Sequence, residues 1–289
     1  MSNIDHQYRI NEILSIIHRD ISANLSAKQL AKKAAYSEQY FHRVFKEVTG
    51  ESVHQYIKRF RLETAANHLI FSPNQTIQSI AENCGYQSIP TFTRTFKSVY
   101  AVTPSEWRMG KKYDKKHYFL SNPEINAAYR RLEKTPLPKA RIVNLQATNV
   151  AYVRHKGYNR SISKAWETLT TWAISQNRSI DHQIGLHHSN PALSPLEDCH
   201  YVACIGIDKP IMPRGKVNSA TIPGGLHAAF EIAGVFGELL PYVSKILEQW
   251  LPESGYTAKT TPAFAIYSKN QYLSEDDEFE LTFYLPIEV

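Results

Sequence analysis

AYSEQYFHRVFKEVTG (35–50) is the stretch that decides the fold, because GYQSIPTFTRTFKSVYA (85–101) repeats it. Four residues recur 51 positions later in the same order: Phe41, Arg43, Phe45 and Lys46 become Phe92, Arg94, Phe96 and Lys97. An internal repeat of this kind usually marks a duplicated supersecondary unit. The front of the chain is therefore predicted to hold two copies of one unit.

Each repeat is predicted to be a helix with an apolar and a polar face, since its residues recur at i, i+3, i+4 and i+7. Ser37 and Ser88 suit the N-caps, and Pro90 suits a first helical turn. The predicted core-facing residues are Phe41, Val44, Phe45 and Val48 in the first repeat and Phe92, Phe96 and Val99 in the second. The predicted outward-facing residues are Gln39, His42, Arg43 and Lys46, then Thr91, Arg94 and Lys97.

A short helix is predicted before each repeat, in SAKQLAKKAA (26–35) and in TIQSIAENCG (76–85). Small residues at Ala31 and Ala81 allow the two helices of a unit to cross closely. A tight turn with Ala35 or Gly85 then leads into the second helix. Two helices joined by such a turn are typical of the helix-turn-helix motif.

The segment SVHQYIKRFRLETAANHLI (52–70) lies between the two units and has mainly helical apolar spacing. A helix of about 18 residues spans roughly 27 Å, and major grooves on one face of B-DNA repeat every ~34 Å. A rigid connector of this length can hold two recognition helices in successive grooves. This fit favours a DNA-binding protein over a plain helical bundle.

The charge of the chain is concentrated at its front. Residues 1–118 hold 17 Lys and Arg against 10 Asp and Glu, a balance of +7, and the remaining residues hold 16 against 17, a balance of −1. A one-sided basic excess indicates an anionic partner, with nucleic acid the first candidate. A solvated basic surface is the alternative explanation for the charge alone.

The front 105 or so residues resemble the AraC/XylS DNA-binding domain. The matching residues are Ala35 to Gly50, Arg61, Ala65, Leu69, Ile80-Ala81, Gly85-Tyr86, the Phe92 to Lys97 run, Thr103-Pro104 and Trp107-Arg108. One departure is Ala35, where the family commonly has Gly. If that turn requires a positive φ, Ala costs about 1 kcal/mol. The resemblance implies an all-α, homeodomain-like domain with two helix-turn-helix units at 1–109.

Residues for DNA contact follow from the polar faces, because Arg paired with guanine is the commonest specific contact. The predicted base-contacting residues are Gln39, His42, Arg43, Thr91 and Arg94. The predicted phosphate contacts are Lys46, Arg59, Lys97, Lys111 and Lys112; such contacts strengthen binding without specifying sequence. Arg61 lies among core residues and is expected to be a structural ion-pair partner.

The rear of the chain has a different sequence pattern from the front. Residues 110–138 are charged and then rich in proline, which predicts a linker with some helix around 124–132. From 139 onward a strand, Gly, helix and Trp pattern occurs twice, with Gly157 to Trp172 and Gly234 to Trp250. Alternating apolar residues predict further strands in CHYVACIGI, AFAIYSK and FELTFYLPI. Residues 139–289 are therefore predicted to form an α+β domain with a duplicated strand-helix unit.

This region resembles the GyrI-like effector-binding domain, on the residues VAYVRHKGYN, TIPGGLHAAFEIAG and the terminal YLPI. The resemblance implies that lipophilic, often cationic, small molecules bind between the two halves. The residues expected to line that cleft are Tyr152, Trp166, Tyr201, Phe230, Phe236, Tyr267, Glu280 and Thr282. Thr282 occupies the position of the family's pocket glutamate. Glu280 shares a strand face with it, so Glu280 as a replacement acid and Glu280 as an exposed acid both stay open.

Together these features predict a non-enzymatic transcription regulator whose partners are double-stranded DNA, a small-molecule effector and RNA polymerase. No cofactor and no metal site are expected, because the His and Cys spacings fit no closed zinc pattern. Without a signal peptide, a membrane span or paired cysteines, a cytoplasmic protein is expected. Two alternatives stay open for the rear domain: a hydrolase that uses Glu280 with Tyr152 or Tyr267, and a protein-interaction module.

Overall fold

The computed structural model describes residues 3–110, 121–191, 194–211, 216–259 and 261–289. The chain divides into two compact units, and the division falls inside the undescribed segment 111–120. The first unit is entirely helical over its described residues. The second combines helices with one large antiparallel sheet.

The described residues of the first unit form seven helices, and a Ser or Thr side chain caps each helix after the first. The caps are Ser26, Ser37, Ser52, Thr76, Ser88 and Thr103, and each accepts a hydrogen bond from a backbone N–H in the first turn. The helices are α1 (Asn3–Arg19), α2 (Ala27–Lys33), α3 (Glu38–Thr49), α4 (Val53–Phe71), α5 (Ile77–Asn83), α6 (Ile89–Tyr100) and α7 (Pro104–Arg108).

The two predicted repeats form two helix-turn-helix pairs, α2 with α3 and α5 with α6. Both turns require a left-handed residue: Ala35 has φ 55° and Gly85 has φ 76°. Both recognition helices also end in this conformation, at Gly50 (φ 82°) and Ala101 (φ 62°). Each repeat thus places one alanine where glycine is better suited, and the expected strain at Ala35 is present.

The apolar side of α6 differs from the prediction at one position. Val99 is exposed, and Tyr100 is buried in its place, where its ring packs 4.7 Å from that of Trp107. The α7 helix supplies Trp107, whose indole N–H donates to the Ala66 carbonyl of α4 at 3.2 Å. The core of the second helix-turn-helix pair is therefore completed by α4 and α7 and does not include Val99.

Arg61 of α4 connects the two helix-turn-helix pairs. Its guanidinium donates to the backbone carbonyls of Ile21 and Ala23, before α2, at 3.1 and 3.0 Å. The same group lies against Gly85, where a Cβ would come within 2.6 Å of Nη2. Burial lowers the pKa of this guanidinium. Arg61 is structural as expected, but it bonds to carbonyl oxygens and not to the ion-pair partner that was predicted.

Over its described residues, the second unit has four α-helices and nine strands. The helices are α8 (Pro123–Leu132), α9 (Ser163–Ser175), α10 (Leu239–Lys245), which continues through a π-helical turn (Ile246–Trp250), and α11 (Leu251–Glu253). The strands are β1 (Arg141–Leu145), β2 (Thr148–Lys156), β3 (Gln183–His187), β4 (His200–Gly206), β5 (Asn218–Ile222), β6 (Gly225–Val235), β7 (Thr257–Ala258), β8 (Ala263–Lys269) and β9 (Glu278–Glu288).

The sheet runs in the order β1-β6-β9-β8-β3-β4-β2-β5, with β7 paired to β9. The two strands at the ends of this order, β1 and β5, lie close to each other at one corner of the sheet. Two residues join β1 to β2, two join β5 to β6, and Gly224 between β5 and β6 lies so close to Leu145 and Ala147 that a Cβ there would collide with their backbone. Because β1 pairs with β6 and β2 with β5, the sheet curls. We call its inner side the concave face.

Helix α8 was expected inside a linker and instead packs on the second unit. Ile125, Ala128 and Leu132 are buried, and α8 contacts α10. The buried Lys245 of α10 donates to the carbonyls of Leu132 and Glu133 at 2.9 and 3.4 Å. The predicted linker is therefore shorter than 110–138.

Candidate DNA-recognition surface and ligand-binding face

The polar side of α3 carries the predicted base-contacting residues of the first unit. Gln39, Arg43 and Lys46 are exposed. The Arg43 guanidinium lies over the Tyr40 ring, 4.7 Å from its centroid, which limits the conformations the arginine samples. His42 is half-buried, and its ring lies 5.5 Å from that of His54 on α4. These side chains share one face of the helix and are available to a groove of DNA.

The polar side of α6 presents Thr91, Arg94 and Lys97 to solvent. Thr91 accepts a hydrogen bond from the Ser88 hydroxyl at 3.0 Å. Ile89 and Pro90 begin the same surface and form, with Thr93, Arg94, Lys97 and Ser98, a shallow depression of about 580 Å³. Ile89 and Pro90 have no polar group in their side chains, and apolar residues of this kind suit contact with a thymine methyl.

Arg59, predicted to contact phosphate, contacts acidic side chains within the first unit. It forms ion pairs with Glu51 at 2.7 Å and with the buried Glu63 at 3.3 Å, and it lies over the Tyr56 ring. Burial opposes its charge, but the two carboxylates raise its pKa overall. Arg59 therefore stabilises the start of α4. Lys111 and Lys112 lie outside the described residues.

A cleft of about 940 Å³ runs between the two helix-turn-helix pairs. Its polar lining includes His54 and Lys58 of α4, Gln87 before α6 and Thr91 on α6. His54 contacts His42 of α3, so the cleft joins the polar surfaces of both recognition helices. Sequence reasoning missed this cleft, because its residues come from four separate segments and form no motif.

In the second unit, α9 lies on the face of the sheet opposite the concave face. Its Trp166 donates to the Tyr201 hydroxyl at 3.2 Å, and that hydroxyl lies 3.3 Å from the Tyr267 hydroxyl. Burial raises the pKa of both tyrosines well above the usual value. Gly185 of β3 lies beneath them, and a Cβ there would collide with Tyr201. These rings interlock as a packed core.

Phe230 and Phe236 complete the aromatic positions on this side. Phe230 packs edge-on against Trp250 of the π-helical turn, at 5.1 Å. Phe236 follows β6, lies 6.1 Å from the Tyr272 ring, and is covered by the Arg160 guanidinium at 4.3 Å. Both residues are engaged in packing.

Tyr152, Thr282 and Glu280 lie on the concave face. Tyr152 belongs to the buried cluster of this face, with Val150, Val202, Cys204 and Phe264. In β9, Thr282 pairs with Ile266 of the same cluster and is half-buried. Glu280 shares that face, as strand alternation predicts, and is exposed. The eight residues predicted to line the ligand cleft therefore lie on two faces of the sheet.

The proposed pair of an acid and a tyrosine for hydrolysis is also divided. Tyr267 lies across the sheet from Glu280, because its strand neighbour Ile266 is the residue that faces the concave side. Tyr152 shares the face of Glu280, but the carboxylate is exposed. Among the described residues, no group of three or more His, Cys, Asp or Glu side chains is placed to hold a metal ion.

Two family models match the chain, one for each unit. A GyrI-like small molecule binding domain matches residues 138–288, more than half of the chain, and a helix-turn-helix domain matches residues 30–110. The chain is an AraC-type regulator with a GyrI-like domain.

Relatives of this AraC-type regulator match its first unit. The Tn10 TetD protein of Escherichia coli is 37% identical over 109 residues, which are 38% of this chain and 78% of TetD. The regulatory protein SoxS of E. coli is 35% identical over 105 residues, 36% of this chain and 97% of SoxS. The multiple antibiotic resistance protein MarA of Salmonella typhimurium is 33% identical over 111 residues, 38% of this chain and 87% of MarA.

The GyrI-like match begins at residue 138, after α8, although α8 packs on that domain. All three cysteines of the regulator are buried and unbonded to one another. No helix within the described ranges combines the length and the apolar character that a membrane span requires.

Proposed function

We propose that this regulator binds an asymmetric DNA site as a monomer, with α3 and α6 in successive major grooves. The observation that carries the proposal is the matched placement of Arg43 and Arg94, which lie 51 residues apart at equivalent exposed positions of two recognition helices. The 19-residue α4 between them spans about 28 Å. This length suits the separation of adjacent grooves, with some bending of the DNA.

Within this arrangement, Gln39, His42, Arg43, Thr91 and Arg94 contact bases, and Lys46 and Lys97 contact phosphates. Because Ile89 and Pro90 at the start of α6 have no polar group in their side chains, the first helix-turn-helix pair is assigned the larger share of hydrogen-bonded specificity. The basic excess of residues 1–118 raises the rate of encounter with DNA and makes the affinity dependent on salt.

The GyrI-like domain is proposed to bind a lipophilic effector and so adjust transcription, through DNA affinity or through contact with RNA polymerase. Such regulation requires that the effector bind one state of the regulator more tightly than another. We propose sensing in preference to hydrolysis because Glu280 is exposed and Tyr267 lies on the other face of the sheet.

Two substitutions one helical turn apart test the DNA-binding proposal. Arg43→Ala is expected to weaken binding to the selected site by about 1–3 kcal/mol and to relax selectivity at one base pair. Lys46→Ala is expected to weaken binding to all sequences alike and to reduce the salt slope by about one unit. Equal losses for Arg43→Ala on the selected site and on random DNA would show that Arg43 contacts only phosphate.

A further inference from the structure

Helix α1 packs against the first recognition helix, α3. Ile10, Ile13 and Ile17 of α1 are buried in the same core as the apolar side of α3. His6 lies four residues before Ile10, and residues four apart share one face of a helix. The half-buried imidazole of His6 therefore lies on the side of α1 that packs on the helix-turn-helix pair.

The imidazole of His6 bridges two tyrosines of the first helix-turn-helix pair. The Tyr36 hydroxyl lies 2.6 Å from Nδ1, and the Tyr40 hydroxyl lies 3.1 Å from Nε2. A neutral imidazole has one N–H donor and one acceptor nitrogen, so one hydroxyl donates to the ring and the other accepts from it. Both ring nitrogens of His6 are thus used, each on a different tyrosine.

The two tyrosines are held from more than one side. Their rings meet edge-on with centroids 5.2 Å apart, and each lies 5.7 Å from the His6 ring. Arg9, three residues after His6, lies over the Tyr36 ring at 5.2 Å and donates to the Ala34 carbonyl at 2.8 Å. The Tyr40 hydroxyl is therefore tied to a cluster that also holds the turn between α2 and α3.

Tyr40 in turn supports the predicted base-contacting arginine of α3. Arg43 is exposed, and its guanidinium lies 4.7 Å from the centre of the Tyr40 ring, as the spacing of three residues along a helix allows. A ring fixed at its hydroxyl offers the guanidinium one surface instead of several. Arg43 then gives up fewer conformations when it pairs with a base, and the ordering of side chains on binding opposes affinity.

The same series of histidine, tyrosine and arginine occurs a second time in the first unit. His18, near the other end of α1, lies with Nε2 2.8 Å from the Tyr56 hydroxyl, and Arg59 lies over the Tyr56 ring at 5.0 Å. The Arg59 guanidinium is engaged by the carboxylates of Glu51 and Glu63. This second series is an internal comparison, in which the tyrosine carries an arginine that acids already bind.

The second recognition helix has a different sequence at the equivalent position. Thr91 stands 51 residues after Tyr40, and it precedes Arg94 by three residues as Tyr40 precedes Arg43. A threonine has no ring on which a guanidinium can rest. Any effect of His6 on recognition should therefore be confined to the base pairs that α3 contacts.

We propose that His6 is a positioning residue for DNA recognition. Through the Tyr40 hydroxyl it fixes the ring on which Arg43 rests, and it thereby increases the selectivity of α3 at one base pair. This inference rests on the proposed contact between Arg43 and a base, and it adds a residue of α1 that does not itself touch DNA.

The test compares the affinity of the full chain for a duplex selected from a random library with its affinity for duplexes in which single base pairs are replaced. Arg43→Ala identifies the base pair that this arginine contacts, as the position where the ratio of the two affinities falls. At that base pair we expect His6→Leu to lower the ratio about 2–5-fold and to leave the other ratios unchanged. In the Arg43→Ala background, His6→Leu should change no ratio.

Three further variants separate positioning from a general loss of structure. His18→Leu removes the equivalent contact with Tyr56, and it should lower the melting temperature without changing any ratio. His6→Gln keeps a donor and an acceptor on one planar group, so it should retain most of the selectivity that His6→Leu loses. Tyr40→Phe removes only the hydroxyl that His6 contacts; it should reproduce the ratio of His6→Leu, and it replaces that variant if His6→Leu fails to fold.

An unchanged ratio in His6→Leu and Tyr40→Phe, or an equal fall at every base pair, would overturn the positioning role. The same selective loss in His18→Leu would overturn it too, because any disturbance of α1 would then have this effect. If Arg43→Ala relaxes no base pair, the proposed base contact is itself wrong. If Arg43→Ala relaxes one and His6→Leu does not, only the inference about His6 fails.

Discussion

Substitution of Gly85 by alanine is expected to destabilise the first unit through Arg61. The new Cβ would lie 2.6, 2.7 and 2.9 Å from Nη2, Cζ and Nε of Arg61. Two of these atoms donate the hydrogen bonds to Ile21 and Ala23, so the guanidinium cannot move away without stretching those bonds. The residue also keeps φ near +76°, which alanine adopts at a cost of about 1–2 kcal/mol.

The expected loss of stability is the sum of these two costs. Loss of one hydrogen bond from a charged donor costs about 1.5–3 kcal/mol. Added to the backbone cost, Gly85→Ala is expected to lower the free energy of unfolding by about 2.5–5 kcal/mol. Gly50→Ala is the matched control, because Gly50 has φ +82° and no atom within 4 Å of its Cβ position; it should cost only about 1–2 kcal/mol.

Urea unfolding of the full chain, followed by circular dichroism of the helical transition, measures both values. In an Arg61→Met background, Gly85→Ala should cost no more than Gly50→Ala, because the clash and the hydrogen bonds are both removed. Equal costs for Gly85→Ala and Gly50→Ala with Arg61 present would refute the role given to this arginine.

Four further predictions concern other parts of the chain. Ala35→Gly and Ala101→Gly should each raise the free energy of unfolding by up to about 1 kcal/mol in urea titrations, because both alanines have positive φ; a loss at either site contradicts the strain. Tyr40→Leu should weaken DNA binding about 2–5-fold in titrations with labelled duplex, since it frees the stacked arginine, and unchanged affinity counts against that contact. Burial lowers the pKa of His187 from 6.5 to about 4, so between pH 6.5 and 4 only the unfolded chain takes up this proton. As the pH is lowered through that range, the free energy of unfolding should therefore fall by about 1.4 kcal/mol per pH unit. His187→Phe should remove this part of the pH dependence of stability, as measured by melting curves at a series of pH values. Lys245→Met should lower the free energy of unfolding by about 2–4 kcal/mol and speed amide exchange in α8, because the ammonium group donates to the Leu132 and Glu133 carbonyls at the end of this helix. Unchanged exchange would show that α8 packs on the second unit without these hydrogen bonds.

The helices and strands that the sequence predicted well are those in which apolar residues recur at a regular spacing. The helical spacing around Phe41 and Phe92 predicted both recognition helices, and the alternation in CHYVACIGI, AFAIYSK and FELTFYLPI predicted β4, β8 and β9. Two short strands were missed for local reasons: β3 has Gly185 at its centre, and β5 is a polar edge strand, NSATI. Each sequence has only two alternating apolar residues, which is too few to indicate a strand.

Contacts between distant segments were beyond sequence reasoning. Alternation along β9 correctly placed Glu280 and Thr282 together, but it does not say which face the helices cover, so Tyr201 and Tyr152 were assigned to one cleft. Arg59 was predicted to contact phosphate although Glu63 lies at i+4 on the same helix; the contact with Glu51, eight residues earlier, depends on the turn before α4 and could not be predicted from helical spacing.

The most direct test of the two-groove model is selection of bound sequences from a random duplex library, followed by insertion of half a helical turn between the enriched elements. We expect two short elements centred about one helical turn apart, and a fall in affinity to that of a single element after the insertion. One short element unaffected by the insertion, or salt-sensitive binding without any enriched sequence, would contradict the placement of α3 and α6 in successive major grooves.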